Sequence, residues 1–534
     1  MHKRLLVLGA IVALSLSVGC REMPQRFDIV IRGGTVIDGT GAEGRITDVG
    51  ISGDRITWIG PTDGAVAGDT IDAAGLIVAP GFIDVHSHTP PAIATPERRL
   101  NEGVIRQGVT TVVGGPDGGF APSQIRQLTA QFEQNGIGTN VAFYVGHNAI
   151  RSEVMGREHR LPTDAEMEEM KTLVREGMEL GAVGFSTGLM YEPGMFSTTA
   201  EVVELAAQAA PFGGIYDSHV RNPVHEFVAS DLEAIVVGRH AGILAKLGHL
   251  KAVGLHNEGK IADIISLVEE ARANGREVVS DQYPYDGAAT STLANIIVFP
   301  NVRRGDPRPN VKAALRNRNT RALLKATSEN GIEGGFAWLK ATGYSSMRIT
   351  SSTDYPELVG RYLSEIAQQR GVDPFDLVSE LIIGADAPVG ITLGAIKEHD
   401  VRLLMVQPWN MIASDGAYSD GETPRGHPRS TGTFPRVLGR YVREWNVLTL
   451  EQAVHKMTAL PAKTIGLNDR GRLAEGAAAD VTVFDPATVI DRSTWEEPQL
   501  FSVGIEHVIV NGVSVLRDGE MTGEAPGRVL THER

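Results

Sequence analysis

The stretch Ala79-Pro80-Gly81-Phe82-Ile83-Asp84-Val85-His86-Ser87-His88 is an apolar run that stops on two histidines one residue apart. Phe82 to Val85 read as a short buried strand, entered through the Pro80-Gly81 pair. On an extended strand positions i and i+2 point the same way, so both imidazoles can face one cavity at the strand's C-terminal end. That is a metal-binding geometry, set against the plainer alternative of two polar residues where a strand leaves for a loop. The choice between them depends on whether the rest of the chain supplies further ligands.

Outward from this strand the middle of the chain alternates short apolar strands with helical segments. Gly108 to Val113, Asn140 to Val145, Gly181 to Phe185, Ile215-Tyr216, Ile243 to Leu247, Glu277 to Val279 and Met411 to Ala413 read as strands. Thr163 to Met178 has helical spacing and opens on Thr163-x-x-Glu166, a capping box. Such alternation predicts an α/β fold, a TIM-type (β/α)8 barrel over residues 80–465, with chemistry collected at the strand C-terminal ends. Both chain ends have a different texture. Phe27 to Arg32, Thr35 to Asp38, Val49 to Ile51 and Ile56 to Ile59 carry hairpin signals, and so do Asp480 to Phe484, Val508 to Val510 and Val513 to Val515 around Asn511-Gly512. They predict one small β-sandwich built from residues 27–79 and 466–534. Residues 287–401 are longer than a barrel loop needs and are expected to form an insertion near the barrel mouth.

The polar residues that end these strands form a series. After His86-x-His88 come Gly114-Gly115-Pro116-Asp117, Asp217-Ser218-His219, Gly248-His249-Leu250-Lys251 and Ala413-Ser414-Asp415-Gly416. Four histidines and two aspartates, each beyond an apolar run, make a nitrogen and oxygen set suited to one or two zinc-like ions. His219 and His249 could instead be core histidines, and Asp117 and Asp415 sit in turn chemistry that would explain them without a metal. A catalytic role for Asp415 is preferred, because hydrolysis at such a metal needs a carboxylate to take a proton from water and return it to the leaving nitrogen.

Bulk properties narrow the class. The chain has 534 residues, 42% hydrophobic and 22% charged, with 61 glycines that suit many tight strand-to-helix turns. Its 50 basic and 65 acidic residues give a formal charge of -15, and no basic run is dense enough to track a phosphate backbone, so nucleic acid is excluded as an expected partner. The single cysteine, Cys20, follows His2-Lys3-Arg4 and the apolar segment Leu5 to Val18, the parts of a bacterial secretory signal. This segment is too short to span a bilayer comfortably and reads as removed. Residues 1–20 thus resemble a lipoprotein signal with Cys20 as lipidation site and 21–26 as a tether, although Ser17 stands where that pattern usually has Leu; a plain secreted protein is the alternative. The expected location is the bacterial cell envelope.

His86-x-His88, His219, His249 and Asp415, in a barrel flanked by a split β-sandwich, resemble the amidohydrolase superfamily, and more narrowly the N-acyl-D-amino-acid deacylases, or D-aminoacylases. The resemblance runs from Phe27 to Val529. It rests on Gln107-Gly108-Val109-Thr110-Thr111-Val112-Val113, Val145-Gly146-His147-Asn148-Ala149-Ile150-Arg151, Ser186-Thr187-Gly188-Leu189-x-Tyr191-x-Pro193-Gly194 and Tyr283-Pro284-Tyr285. It rests equally on His427-Pro428-Arg429-x-x-Gly432-Thr433-Phe434-Pro435-Arg436-Val437-Leu438-Gly439, Val510-Asn511-Gly512 and Pro526-Gly527-Arg528-Val529. It implies hydrolysis of N-acyl-D-amino acids at a site holding Zn2+, with metal held chiefly by Asp117, His219 and His249, and His86 and His88 completing a second position. The preference for D stereochemistry comes from the resemblance alone. One departure is that Asp117 stands where family members of the best-known type place a metal-ligating cysteine. Many superfamily relatives bridge their metals with a carboxylated lysine, which makes Lys251 a rival bridge; the resemblance assigns this lysine to substrate binding. A substrate carboxylate needs cationic partners in so acidic a chain, and Lys251 and Arg429 are the candidates, with Tyr191 and Tyr283 as hydrogen-bonding neighbours and His147 as a further lining residue. The rival readings are a hydantoinase-like or isoaspartyl-type enzyme of the same superfamily, and a surface lipoprotein that binds acylated ligands without turnover.

Overall fold

The computed structural model describes residues 25–532 apart from 301, 303–308, 333–335 and 424–425, so Cys20 and the apolar segment before it lie outside the described residues. Eight parallel strands, Phe82–Asp84, Val109–Gly114, Asn140–Gly146, Gly184–Gly188, Ile215–His219, Leu244–Leu247, Val278–Gln282 and Asn410–Ile412, lie side by side in chain order. Nearly every position in them is buried, because helices cover the outside and side chains fill the bore. The ring closes just beyond the tips of the first and last strands. Asp415 N donates to the His86 carbonyl at 2.9 Å and His88 N to the Gly416 carbonyl at 2.9 Å, with Ser87 and Gly416 bridged in parallel. The buried Asp84 carboxylate reinforces the closure, accepting from the Ser414 N–H at 2.9 Å, from the Ser414 hydroxyl and from the His86 N–H at 3.3 Å.

The helix foreseen from Thr163 spans Asp164–Glu179. Thr163 Oγ1 accepts from the Glu166 N–H at 3.3 Å while the Glu166 carboxylate accepts from the Thr163 N–H at 2.8 Å. Met170, Val174 and Met178, four residues apart, turn inward from it. The strand expected at Gly181 to Phe185 begins later, at Gly184. Gly181 adopts a φ of 94° to turn the chain out of the helix, and an extended ladder cannot start until that turn is complete.

The chain ends form a second, nine-stranded sheet. Its seam is Ile77–Pro80, parallel to Arg26–Val36 on one side and antiparallel to Val481–Phe484 on the other, with Val481 opposite Pro80. The sheet curls on itself, since Ile56 N donates to the Ala477 carbonyl at 2.9 Å, and Ile31, Val49, Ile56, Val481 and Ile509 share one core. The strand that leads out of this seam is the one that carries His86 and His88. Between the seventh and eighth barrel strands a separate lobe is built on Ala289–Thr292, Ile349–Ser351 and Gly390–Leu393, with its own buried cluster including Leu293, Leu315, Phe375 and Ile391.

Replacing Asp84 by Ala strands the buried Ser414 donors and loosens barrel closure. The expected cost is about 2–3 kcal/mol, read as a lowered urea midpoint of the metal-free protein; an unchanged midpoint would show that closure does not depend on this carboxylate.

Candidate metal centre and active site

Every predicted ligand sits at or just past a strand tip, and three pay a backbone cost to be there. Asp117, His249 and Asp415 have φ values of 58°, 37° and 49°, the left-handed region that costs a side-chain-bearing residue about 1–2 kcal/mol. Each strand has to turn abruptly for its side chain to point across the bore instead of along it. Around Asp117 the turn is fixed from the fourth strand: Ser186 Oγ donates to the Gly115 carbonyl at 2.6 Å and accepts from the Gly118 N–H at 3.1 Å. A Cβ on Gly118 would lie 2.2 Å from Asn148 Oδ1, so no other residue fits there.

Four imidazoles converge on the Asp117 carboxylate. Its Oδ1 lies 3.4 Å from His86 Nε2, 3.5 Å from His219 Nδ1 and 3.5 Å from His249 Nε2, and its Oδ2 lies 3.6 Å from His88 Nε2. Asp415 Oδ1 faces His88 Nε2 at 3.2 Å and His86 Nε2 at 3.7 Å, while its Oδ2 is held by Arg429 Nη1 at 2.8 Å. His249 Nε2 and His219 Nδ1 are 2.7 Å apart.

These residues fit a metal. Asp117 Oδ1 and His86 Nε2 are buried without a hydrogen-bond partner among the described residues, an expensive arrangement unless a cation compensates it. One atom each from His86, Asp117, His249 and Asp415 lies within 4.8 Å of the others, and imidazole with carboxylate is the donor chemistry of zinc. Burial first, and the neighbouring Lys251 cation second, push His249 down to about 3, leaving it neutral with a lone pair to give. Burial raises the Asp117 pKa, but His219, His249 and His86 together outweigh it and hold the carboxyl well below its usual range.

A protein-family model described as the amidohydrolase family matches residues 69–214 and 318–516. The chain belongs to the amidohydrolase family. It is 38% identical to the N-acyl-D-glutamate deacylase of Alcaligenes xylosoxydans xylosoxydans, over 96% of this chain and 98% of that one. It is 36% identical to the D-aminoacylase of the same organism, over 95% of this chain and 98% of that one. Among solved structures, the N-acyl-D-glutamate deacylase of Bordetella bronchiseptica, complexed with zinc and a phosphonate mimic of the tetrahedral intermediate of its reaction, superposes with a TM-score of 0.77 at 36% identity, covering 95% of this chain and all of that one.

Around the metal centre of this amidohydrolase the other predicted residues divide. The Lys251 ammonium donates to the His249 carbonyl at 2.8 Å and stands 5.2 Å from the centre of the Tyr283 ring; burial lowers its pKa to about 8. The Arg429 guanidinium lies 4.6 Å over the same ring, and its Nε is buried with no partner among the described residues. Tyr283 is therefore a platform for two cations, its hydroxyl already donating to the Ala288 carbonyl at 3.0 Å. Tyr191 packs its ring 4.5 Å from His219 at the half-open edge. His147 is not brought to the site and corrects the expectation that it lines the pocket. It is fully buried, its Nε2 2.9 Å from Glu201 Oε1, in a network that Arg151 Nε joins at 3.0 Å; the helix that opens at His147 turns the ring outward, behind the barrel wall.

Two groups escaped the sequence reading. Asp281, inside the seventh strand, accepts from the His249 N–H at 2.5 Å, and His427 anchors the Arg429 loop, accepting from the Arg429 N–H at 3.1 Å while its Nε2 meets the Gly287 carbonyl at 3.1 Å. The available signal for the first was Lys246, a lysine inside the apolar run Leu244–Leu247, which a buried strand accommodates only beside a carboxylate.

Asp117→Ala removes the oxygen on which the imidazoles converge. Elemental analysis after dialysis is expected to show most of the bound zinc lost, with the fold retained; full metal retention would reduce Asp117 to a turn residue.

Proposed function

We propose that this amidohydrolase cleaves the amide of N-acyl-D-amino acids, releasing a carboxylate and a D-amino acid, with zinc as its metal and an envelope location. The observation that carries the reading is the convergence of three imidazoles on a buried Asp117 oxygen that has no hydrogen-bond donor among the described residues, beside Asp415. It stands in a chain 36–38% identical along its length to deacylases of this kind.

Asp117, His219 and His249 would hold zinc, with His86 and His88 able to complete a second position, and the ion would supply Lewis acidity that brings the pKa of water toward about 7. Asp415 supplies the proton traffic. Burial works to raise its pKa, but the Arg429 guanidinium and the neighbouring imidazoles hold it well below the ordinary carboxylate range, so it is ionised and able to accept. Its Oδ1, facing the imidazoles, takes the proton of water as the new C–O bond forms; the same proton goes to the amide nitrogen as the C–N bond breaks. Arg429 fixes Oδ2 and thereby the orientation of the shuttle. Lys251 and Arg429, gathered on the Tyr283 face, present the positive charge that the substrate's own carboxylate needs.

The N-terminal signal supports export and tethering through a lipid on Cys20. Among the described residues no helix is long and apolar enough to cross a membrane. With Cys20→Ser the protein is expected to leave the membrane fraction of fractionated cells for the soluble one, and unchanged partition would remove the anchor.

For the chemistry, purified enzyme is to be assayed on N-acetyl-D- and N-acetyl-L-amino acids beside hydantoins and dipeptides. Turnover of the N-acetyl-D compounds is expected, and turnover confined to hydantoins or dipeptides would select the rival enzyme reading. Asp415→Asn is expected to lower kcat by about 10²–10⁴-fold with its metal retained; unchanged turnover would end the assignment of Asp415 as shuttle.

A further inference from the structure

Beneath the metal centre lies a second polar layer inside the barrel. Lys246 is fully buried at the middle of the sixth strand. Its ammonium lies 2.7 Å from Asp217 Oδ1 on the fifth strand and in direct contact with Asp281 Oδ2 on the seventh. Register explains the meeting: Lys246 is the lateral partner of Asp217 on one side and of Val279 on the other, and Asp281 is two residues beyond Val279, so it shares that inward face. Gly248 leaves the space in which these groups approach, since a Cβ there would lie 2.9 Å from Asp217 Oδ1 and 3.3 Å from His86 Cε1.

One atom each from His86, Asp217 and Asp281 lies within 4.8 Å of the others, a grouping that could itself hold an ion. The Lys246 ammonium already lies against both carboxylates, so the chain supplies this layer's positive charge itself. Asp281 then reaches upward. Its Oδ1 accepts the N–H of His249, the residue in left-handed conformation, at 2.5 Å, and its Oδ2 faces His86 Nδ1 at 3.8 Å. A neutral imidazole carries one N–H. With an anion opposite Nδ1 the proton belongs there, and the Nε2 lone pair is left pointing at Asp117 and Asp415 oxygens 3.4 and 3.7 Å away. Lone pair against carboxylate is repulsive until a cation stands between them.

We propose that Asp281, held in place by the buried ammonium of Lys246, is a positioning residue of the metal centre: it fixes the Nδ1–H tautomer of His86 and pins the strained backbone of His249, so that both imidazoles offer lone pairs to the metal centre. The proposal rests on the metal-hydrolase reading above. Carboxylates placed behind ligating histidines in this way commonly contribute about 10–100-fold in metal affinity.

The test measures zinc affinity of purified protein by competition with a chromophoric chelator, for the native chain and for Asp281→Asn. The amide keeps an acceptor for the His249 N–H and loses the charge that selects the His86 tautomer. An affinity about 10–100-fold weaker is expected, with far-ultraviolet circular dichroism unchanged; equal affinity in a folded Asp281→Asn would overturn the proposal. Nitrogen-15 histidine spectra of the native zinc-loaded protein, with the His86 signals assigned by their loss in His86→Gln, decide independently should Asp281→Asn fail to fold. Protonated Nδ1 supports the assignment and protonated Nε2 overturns it. Native protein that binds no zinc would instead remove the metal-hydrolase reading, and this inference with it.

Discussion

A buried carboxylate oxygen with no hydrogen-bond donor among the described residues is the constraint on which the rest of this structure depends. Asp117 Oδ1 faces the nitrogens of His86, His219 and His249, and nothing among the described residues donates to it. A buried anionic oxygen without a donor costs several kcal/mol unless a positive charge stands beside it. A divalent metal would resolve the cost, and the same cation would satisfy the imidazole lone pairs that crowd the carboxylate.

The fold serves this convergence. The candidate ligands come from the first, second, fifth, sixth and eighth strands, and only a closed ring brings so many strand tips to one axis. Closure runs through the ligands themselves, since the His86 carbonyl accepts from the Asp415 N–H. The sheet made of both chain ends feeds the first strand through Ile77–Pro80, so the position of the two neighbouring histidines is inherited from pairing with Val481–Phe484, some four hundred residues away in the chain. The lobe between strands seven and eight reaches the substrate side at its root, where the Ala288 carbonyl accepts from Tyr283 and Arg429.

Much of this was legible in the sequence because barrels write their chemistry at strand ends. Apolar runs ending on His86, Asp117, His219, His249 and Asp415 could be read in order, and the capping box at Thr163 placed a helix to within a residue. What the periodicity did not show is which way a residue turns after the strand has ended. His147 follows the third strand even more closely than Asp415 follows the eighth, yet it opens a helix and pairs with Glu201. Asp281 was missed for the opposite reason: it lies within a strand, where inward and outward faces alternate and the burial of one polar side chain depends on Lys246 of the neighbouring strand. Arg429 was legible as a cation of the site, but its pairing with Asp415 required coordinates.

The geometry predicts a zinc site built from nitrogen and oxygen alone and centred on Asp117. X-ray absorption at the zinc edge of the purified, zinc-loaded protein tests it most directly. The predicted spectrum has a first shell of light scatterers at about 2.0–2.1 Å, with imidazole multiple scattering and no sulfur near 2.3 Å. A sulfur scatterer, or a shell of water oxygens without imidazole, would contradict it.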